Sequence, residues 1–329
     1  MEHVRLGRTG LQVSRICLGT MTFGLQSDEP TSFAILDRAA EGGVTFLDTA
    51  DVYPLGGTGA TVGRTEEIVG RWLDGKRDRF ILATKCFGAT GPNPWERGNS
   101  RKHILDAVDA SLRRLQVSYI DLYQLHGPDR STPIDETLQA LDDLVRSGKV
   151  RYVGCSNFLS YQVAQAVGRS AVLGVARFDS VQPRYNLLFR QIERELLPLC
   201  ADEGIGVIPY NPIAGGMLSG KHSAGDPTDG TRFTLGTAAK IYQGRYWHEG
   251  AFAMVEQLKP VADAAGMTMP QMAVAWVMAN PAVTSPIVGA SRPDQLDDTL
   301  RAAETPLPPD LKQRLDELTV DYRKGDDPR

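Results

Sequence analysis

Cysteine is scarce in this chain, and what there is does not cluster. The 329 residues include four cysteines, Cys17, Cys86, Cys155 and Cys200, with no CxxC pair and no Cys/His group. That spacing argues against a zinc site and against a disulfide framework, so no metal is expected. Isolated reduced thiols suit a cytoplasmic location. Long apolar runs are missing too. Stretches such as MAVAWVMA fall far short of the roughly 20 residues that span a bilayer. The amino-terminal MEHVRLGRTGLQVS has charge but no apolar core of the signal-peptide kind. Nor does one sign of charge dominate: 36 basic residues against 40 acidic ones leave −4. Nothing there favours nucleic acid or an anionic membrane as a partner.

What the chain does have is a repeated alternation. Eight short β-rich runs end in small or polar residues: 15–21, 44–50, 80–85, 120–126, 150–157, 179–186, 206–212 and 285–291. They are near-continuous apolar runs, as expected of strands buried on both faces. Helical patterns fall between them. SFAILDRAAEGG carries Phe33, Leu36 and Ala40 on one stripe. SRKHILDAVDASLRRL has Ser100 as cap, then Ile104, Val108, Leu112 and Leu115 at helical spacing. TPIDETLQALDDLVRSGK has Thr132 as cap, Pro133 at the first helical position, Glu136 near the capping-box position and an end at Gly148. Further helices are expected at 160–168, 188–203, 293–302 and 308–318.

Strand–helix alternation implies parallel strands with crossover helices. Eight repeats suit a closed (β/α)8 TIM barrel, class α/β, in one domain over 1–329; an open doubly wound sheet is the alternative. HVRLGRTGLQVS reads as a β-hairpin ahead of the barrel. The gap 212–285 is too long for one loop and helix, so an insertion after strand 7 is expected over the carboxyl end. The tail 303–329 ends in KGDDPR, expected to be mobile.

Barrel enzymes place their chemistry at the carboxyl ends of the strands. Four residues stand there or close by: Asp48 and Tyr53 in FLDTADVY, Lys85 in ATK and His126 in YQLH. A lysine ending an apolar run needs a partner, because an unpaired buried ammonium is costly. Asp48 can supply it, and an ion pair alone would explain both residues. Tyr53 and His126 add chemistry. A free phenol has pKa about 10, too high for an efficient acid, and a nearby ammonium lowers it. Neutral His126 can donate to a carbonyl oxygen. Such a site protonates the oxygen while something else delivers hydride to the carbon.

These residues identify the chain as similar to the aldo-keto reductases. FLDTADVY, ATK and DLYQLH match that family's Asp, Tyr, Lys and His in order, and the likeness runs from about residue 4 to 303. PDRSTPIDETL, RQIERELLPLCADEGIGVIPYNPIAGGMLSGK and GRYWHEGAF resemble the aflatoxin-aldehyde (succinic semialdehyde) reductase branch. VRLGRTGLQVS and GGTGATVGRTEE look more like the bacterial and sugar-reducing branches. The resemblance implies NADPH bound in extended form and reduction of a small-molecule aldehyde or ketone. Tyr53 would be the general acid, Asp48 and Lys85 its tuners, and His126 the carbonyl orienter. Ser156, Asn157 and Gln182 would bind the nicotinamide carboxamide, and Tyr210 would stack on the ring. Asn211, Ile213, Gly215, Met217 and Lys221 fall where the pyrophosphate is gripped. Ser291 and Arg292 would hold the 2′-phosphate, with Gln295 and Asp298 near the adenosine. Where the family usually has Asn, this chain has Thr299, and Asp298 often has a Glu counterpart. A homodimer is the oligomer the branch implies. Two alternatives stay open: a nucleotide-sugar keto- or enoyl reductase, and an NADPH-binding regulatory subunit.

Other features carry competing readings. GGMLSGKH (215–222) fits GxxxxGK but has His222 where a P-loop needs Ser or Thr. GGTGATVG (56–63) lacks GxGxxG spacing and reads as a connector. Trp95 either lines the substrate pocket or packs its own loop. Arg232 and Arg245 either bind a substrate carboxylate or cofactor phosphate, or make surface salt bridges. Substrate choice is assigned to loops 86–100 and 212–248 and to the tail. His3, His103, His222 and His248 are expected at the surface, and Met267, Met269 and Met272 in the core.

Overall fold

The computed structural model describes residues 1–324, so the expectation for 325–329 of the charged end falls outside the described residues. Ten strands form. β1 (His3–Arg5) and β2 (Gln12–Ser14) make an antiparallel hairpin. The barrel strands are β3 (Cys17–Gly19), β4 (Phe46–Asp48), β5 (Ile81–Cys86), β6 (Ile120–Leu125), β7 (Val150–Ser156), β8 (Ser180–Gln182), β9 (Gly206–Val207) and β10 (Ile287–Val288). They are parallel in the order β10-β3-β4-β5-β6-β7-β8-β9. Parallel bridges at Val207–Val283 and Tyr210–Ile287 join the two ends of that order. The closed (β/α)8 expectation holds, and each barrel strand falls on its expected run, β5 reaching one residue past it to Cys86.

Two apolar cores explain why these runs are continuous. Inside the barrel Cys17, Phe46, Ala83, Leu122, Ile208 and Ile287 meet Leu6 and Val13 of the hairpin. The hairpin thus closes the amino-terminal end. It does so at close range: Gly7 has φ +57, and a Cβ there would lie 2.4 Å from the Gly204 oxygen. Outside the barrel, alternate residues such as Leu47, Leu82, Tyr123 and Val153 pack under the helices.

Most expected helices form. α1 (Glu29–Glu41) buries Ser32, Ile35, Leu36 and Ala39, so its inner stripe is offset from the expected one; Phe33 and Ala40 sit half-buried on its flanks. After α2 (Arg64–Leu73) comes α3 (Arg101–Leu115), whose first turn is capped by Ser100, accepting from His103 N at 3.2 Å. α4 (Ile134–Arg146) corrects the sequence reading: Pro133 occupies the cap position. The Thr132 hydroxyl instead donates to Asp129, and Glu136 accepts from Arg101 N. α5 (Ser160–Leu173) and α6 (Leu196–Glu203) complete the middle of the chain, α6 starting later than expected behind a 3-10 turn.

The gap 212–285 holds three 3-10 turns, then α7 (Ala239–Tyr246), α8 (Glu249–Ala264) and α9 (Met269–Met278). Met272 is fully buried, whereas Met269 only starts α9 and Met267 precedes it. α10 (Leu296–Glu304), α11 (Pro309–Leu318) and the short α12 (Asp321–Lys324) follow the last strand. Two histidines correct the surface expectation. His103 and His222 are buried, and the His222 ring packs on Phe233 and Trp247 at 5.0 and 5.4 Å. The Phe233 and Trp247 rings reach His222 from later turns of the same segment, at spacings that follow no helical or strand period.

Candidate active site

The site follows from the two-residue period of the strands. Side chains two apart share a face. On β4 Phe46 is succeeded inward by Asp48, on β5 Ala83 by Lys85, and on β6 Leu122 by Gln124 and then His126. The barrel interior therefore changes from apolar to polar as it nears the carboxyl end. Parallel register sets Asp48 beside Ala83 and Lys85 beside Gln124. The Lys85 ammonium donates to Asp48 Oδ1 at 2.6 Å and to the Thr49 carbonyl at 2.7 Å. Asp48 Oδ2 accepts from the amides of Gln124 and Gln182, each at 3.0 Å. Lys85 is wholly buried and Asp48 nearly so, a placement tolerable only with this many partners.

Tyr53 lies on the loop after β4, with Lys85 Nζ 5.0 Å from its ring centroid. The His126 ring meets it edge-on at 5.6 Å. The four expected residues thus come together, Tyr53 meeting Lys85 and His126, and Asp48 behind Lys85. Burial pulls the Lys85 pKa down, but Asp48 and Tyr53 outweigh it, and the net shift is upward. Burial, and then Lys85, pushes His126 down to about 3, so its imidazole is neutral near pH 7. Tyr53 corrects an expectation. Burial raises it to about 12, outrunning the lowering by Lys85, with Asp48 adding to the rise. The phenol therefore stays loaded with its proton across the neutral range.

Above this floor opens a cleft of about 620 Å³. Asp48, Tyr53, His126, Ser156, Asn157, Gln182 and Tyr210 line one part of it. Lys85 lies beneath the floor. Asn157, at φ +62, accepts from Tyr210 Oη at 2.8 Å and donates to the His126 carbonyl at 2.9 Å. Ser156 Oγ donates to the Gln182 carbonyl at 2.8 Å. Gln182 spends its Nε2 on Asp48 and Gln124; among the described residues nothing donates to its Oε1. Asn211, at φ +59, has a buried Nδ2 without a partner.

Ile213, Gly215, Lys221, Arg232 and Arg245 continue the wall, whereas Met217 is packed wholly beneath it. A Cβ on Gly215 would lie 2.7 Å from Tyr242, so the close approach needs glycine. At the far end, Gln295 Oε1 accepts from Ser291 N at 2.8 Å and from its hydroxyl at 3.2 Å. Exposed Arg292 pairs with Asp294 at 3.2 Å, and Asp298 with Arg301. Thr299 lines the cleft but is buried, its hydroxyl donating to the Leu296 carbonyl at 3.0 Å.

Several expected residues stand elsewhere, and two were missed. Trp95 is 52% exposed and does not line the cleft, and no residue of 86–100 or 303–324 does. Part of the 212–248 segment instead straps across the opening: Gln26 donates to the Gly230 carbonyl at 2.7 Å, and Thr237 N reaches the Gly56 carbonyl at 3.3 Å. Tyr242 was missed; it lines the cleft, with Arg232 bonded to its hydroxyl at 3.3 Å and Arg245 6.0 Å over its ring. Gln124 was missed too, although its place two residues before His126 puts it on the same inward face. Among the described residues no cluster of His, Cys, Asp and Glu could hold a metal ion, and no helix is long and apolar enough to cross a membrane.

A family model described as the aldo/keto reductase family matches residues 15–320. The chain belongs to the aldo/keto reductase family. It is therefore an oxidoreductase of a family that reduces carbonyl compounds and generally uses nicotinamide nucleotides. It is 40% identical to "Uncharacterized oxidoreductase YrpG" of Bacillus subtilis (strain 168), over 97% of this chain and 96% of that one. It is 37% identical to "Probable voltage-gated potassium channel subunit beta" of Arabidopsis thaliana, over 92% of each chain. It is 34% identical to "Versiconal hemiacetal acetate reductase" of Aspergillus parasiticus, over 97% of each.

Proposed function

We propose that this aldo/keto reductase uses NADPH to reduce an aldehyde or ketone to an alcohol, with Tyr53 as general acid. The observation that carries the reading is the buried Lys85–Asp48 pair set against the Tyr53 ring at the floor of the cleft. The Tyr53 hydroxyl gives its proton to the carbonyl oxygen. The Lys85 ammonium stabilises the phenolate left behind, and Asp48 keeps that ammonium charged and aimed. Neutral His126 donates to the same oxygen and orients it.

The cleft fits an extended nicotinamide nucleotide. Gln182 Oε1 offers an acceptor for the carboxamide, and the unpartnered Asn211 Nδ2 offers a donor in the wall. Tyr210, tied to Asn157, provides a flat face. Lys221 and Arg232 supply positive charge for a diphosphate, and Ser291 with Arg292 suits a 2′-phosphate. When bound, the reduced nucleotide would supply the hydride to the carbonyl carbon. Arg245 remains for the substrate. It lines the cleft with no carboxylate bonded to it among the described residues, which favours a carbonyl compound bearing a carboxylate, as the semialdehyde-reductase likeness also implies.

NADPH consumption over a panel of aldehydes, semialdehydes, diketones and keto-sugars tests this. Multiple turnover in the wild type, lost in Tyr53→Phe with NADPH binding kept, is the expected result. Full activity in that variant would remove the proposed mechanism. The channel-subunit likeness favours a second reading, a regulatory NADPH-binding subunit; absence of turnover on every carbonyl, with tight NADPH binding, would favour it.

A further inference from the structure

We propose that Gln124 is a positioning residue for the proton transfer: together with Gln182 it holds Asp48 so that Lys85 directs its charge at Tyr53. This rests on the carbonyl-reductase reading above. Gln124 is fully buried on β6 and does not line the cleft, so it touches neither substrate nor cofactor. A buried primary amide is costly unless bonded. Gln124 is bonded at both ends of its amide. Its Nε2 donates to Asp48 Oδ2 at 3.0 Å, and its Oε1 accepts from Gln182 Nε2 at 3.1 Å. Gln182 Nε2 closes the triangle on the same Asp48 oxygen at 3.0 Å. Gly154 of β7 packs against it: a Cβ there would meet Gln124 Cγ at an ordinary 3.4 Å but stand only 2.3 Å from Ser180 Oγ.

The triangle divides the labour of the Asp48 carboxylate. Oδ2 takes two amides, and Oδ1 is left to the Lys85 ammonium. Amide donors disperse the carboxylate's negative charge. Without Gln124 that charge falls more heavily on Lys85. The ammonium then stabilises a Tyr53 phenolate less well. The other ionisable groups about Asp48 are the Cys17 thiol on β3 and the His126 imidazole beyond β6. Burial raises the first and lowers the second, so both are uncharged near pH 7. The triangle also sets the polarity of Gln182. With its Nε2 drawn inward by two acceptors, Gln182 keeps its Oε1 for the cleft.

Gln124→Met removes the amide at nearly constant volume, and Gln124→Glu restores a donor only when its own carboxyl is protonated. The Asp48 carboxylate carbon resonance, in 13C-aspartate-labelled protein and assigned with Asp48→Asn, is expected to shift in Gln124→Met. This reads the contact whether or not the wild type turns over, so it separates this proposal from the proposed function. With a carbonyl substrate, kcat is expected to fall about tenfold or more, the kinetic equivalent of one hydrogen bond to a charged group. The Kd for NADPH should stay within about threefold, because Asp48 still holds Gln182 Nε2 inward when the Gln124 amide is gone. The kcat of Gln124→Glu, relative to Gln124→Met, should rise as pH falls. An unmoved Asp48 resonance would overturn the proposal. So would a kcat loss that Gln124→Glu does not recover at any pH, or one matched by an equal rise in NADPH Kd. If Gln124→Met does not fold, Gln124→Glu is compared with wild type instead: its kcat deficit should shrink as pH falls, and a deficit unchanged at every pH would overturn the proposal.

Discussion

Two of the buried carboxylates that pair with cations in this barrel serve opposite sides of one strand. Lys85 of β5 turns inward to Asp48 at 2.6 Å. Its neighbour Thr84 turns outward and donates to Glu66 of α2 at 2.5 Å, and Glu66 pairs with Arg114 of α3 at 2.7 Å. The ingredients match: Lys85, Asp48 and Glu66 have almost no exposure. What differs is the neighbour. The inward pair has a phenol and an open cleft above it. The outward pair joins two helices to the sheet, with Arg114 20% exposed, and neither member lines the cleft. Asp51 lies within electrostatic reach of both, and no side chain among the described residues bonds to its oxygens. Burial, with Glu66 adding to it, raises its pKa well above the usual carboxylate range. A buried ion pair is thus evidence of chemistry only when a reactive group shares its field.

Breaking the inward pair should have the largest effect, and on rate. Tyr53→Phe should lower kcat by about 10²–10⁴-fold, the usual contribution of a positioned acid, and Lys85→Met should approach it. Initial rates at saturating NADPH check both, with cofactor binding followed separately.

Breaking the outward pair should act on stability instead. Arg114→Met strands Glu66 in the interior and should cost about 3–5 kcal/mol. Urea unfolding measures this, while kcat per folded molecule should change by less than about threefold. A large kcat loss at unchanged stability would erase the distinction between the two pairs.

Arg245 sharpens the comparison from above the floor. Arg245→Met should raise KM for a carboxylate-bearing aldehyde by about 10–100-fold, as loss of a charge-assisted bond does, and leave a neutral aldehyde within about threefold. Equal effects on both substrates would reassign Arg245 to the cofactor.

The smallest effect concerns His126, whose pKa is depressed to about 3. The unfolded chain takes up its proton near pH 6.5, and the folded one does not. The stability from neutral His126 is therefore complete above 6.5 and lost as pH falls towards 3, at up to about 1.4 kcal/mol per pH unit. His103 and His222 are depressed in the same direction. The difference in urea midpoint between wild type and His126→Gln, followed from pH 7 to 4.5, isolates the His126 share.

Much of this was legible in advance, for specific reasons. Continuous runs such as FILATK could only be strands covered on both sides, and Lys85 at the end of one demanded a partner. Gln124 was legible in principle, since strand period two places it with Leu122 and His126. The Tyr242 position was not, because α7 has no apolar stripe of its own and the two arginines reach it from other turns. Trp95 misled for the same reason: an aromatic in a loop gives no sign of which side of the barrel mouth it faces. The direction of the Tyr53 shift also needed the fold, because desolvation and the Lys85 field oppose each other and only packing sets their balance.

By itself, then, the sequence determined the strand–helix order, a parallel α/β architecture that suits a closed barrel, and the identity of the four polar residues at its carboxyl end. Local periodicity and the cost of burying charge are enough for that. Only the tertiary structure decided how the charges are shared: that Asp48 divides its oxygens between one ammonium and two amides, that Arg114 answers Glu66 behind the same strand, and that a strap from 212–248 borders the cleft. Those outcomes depend on distances between strands far apart in the chain, and no spacing along the chain encodes them.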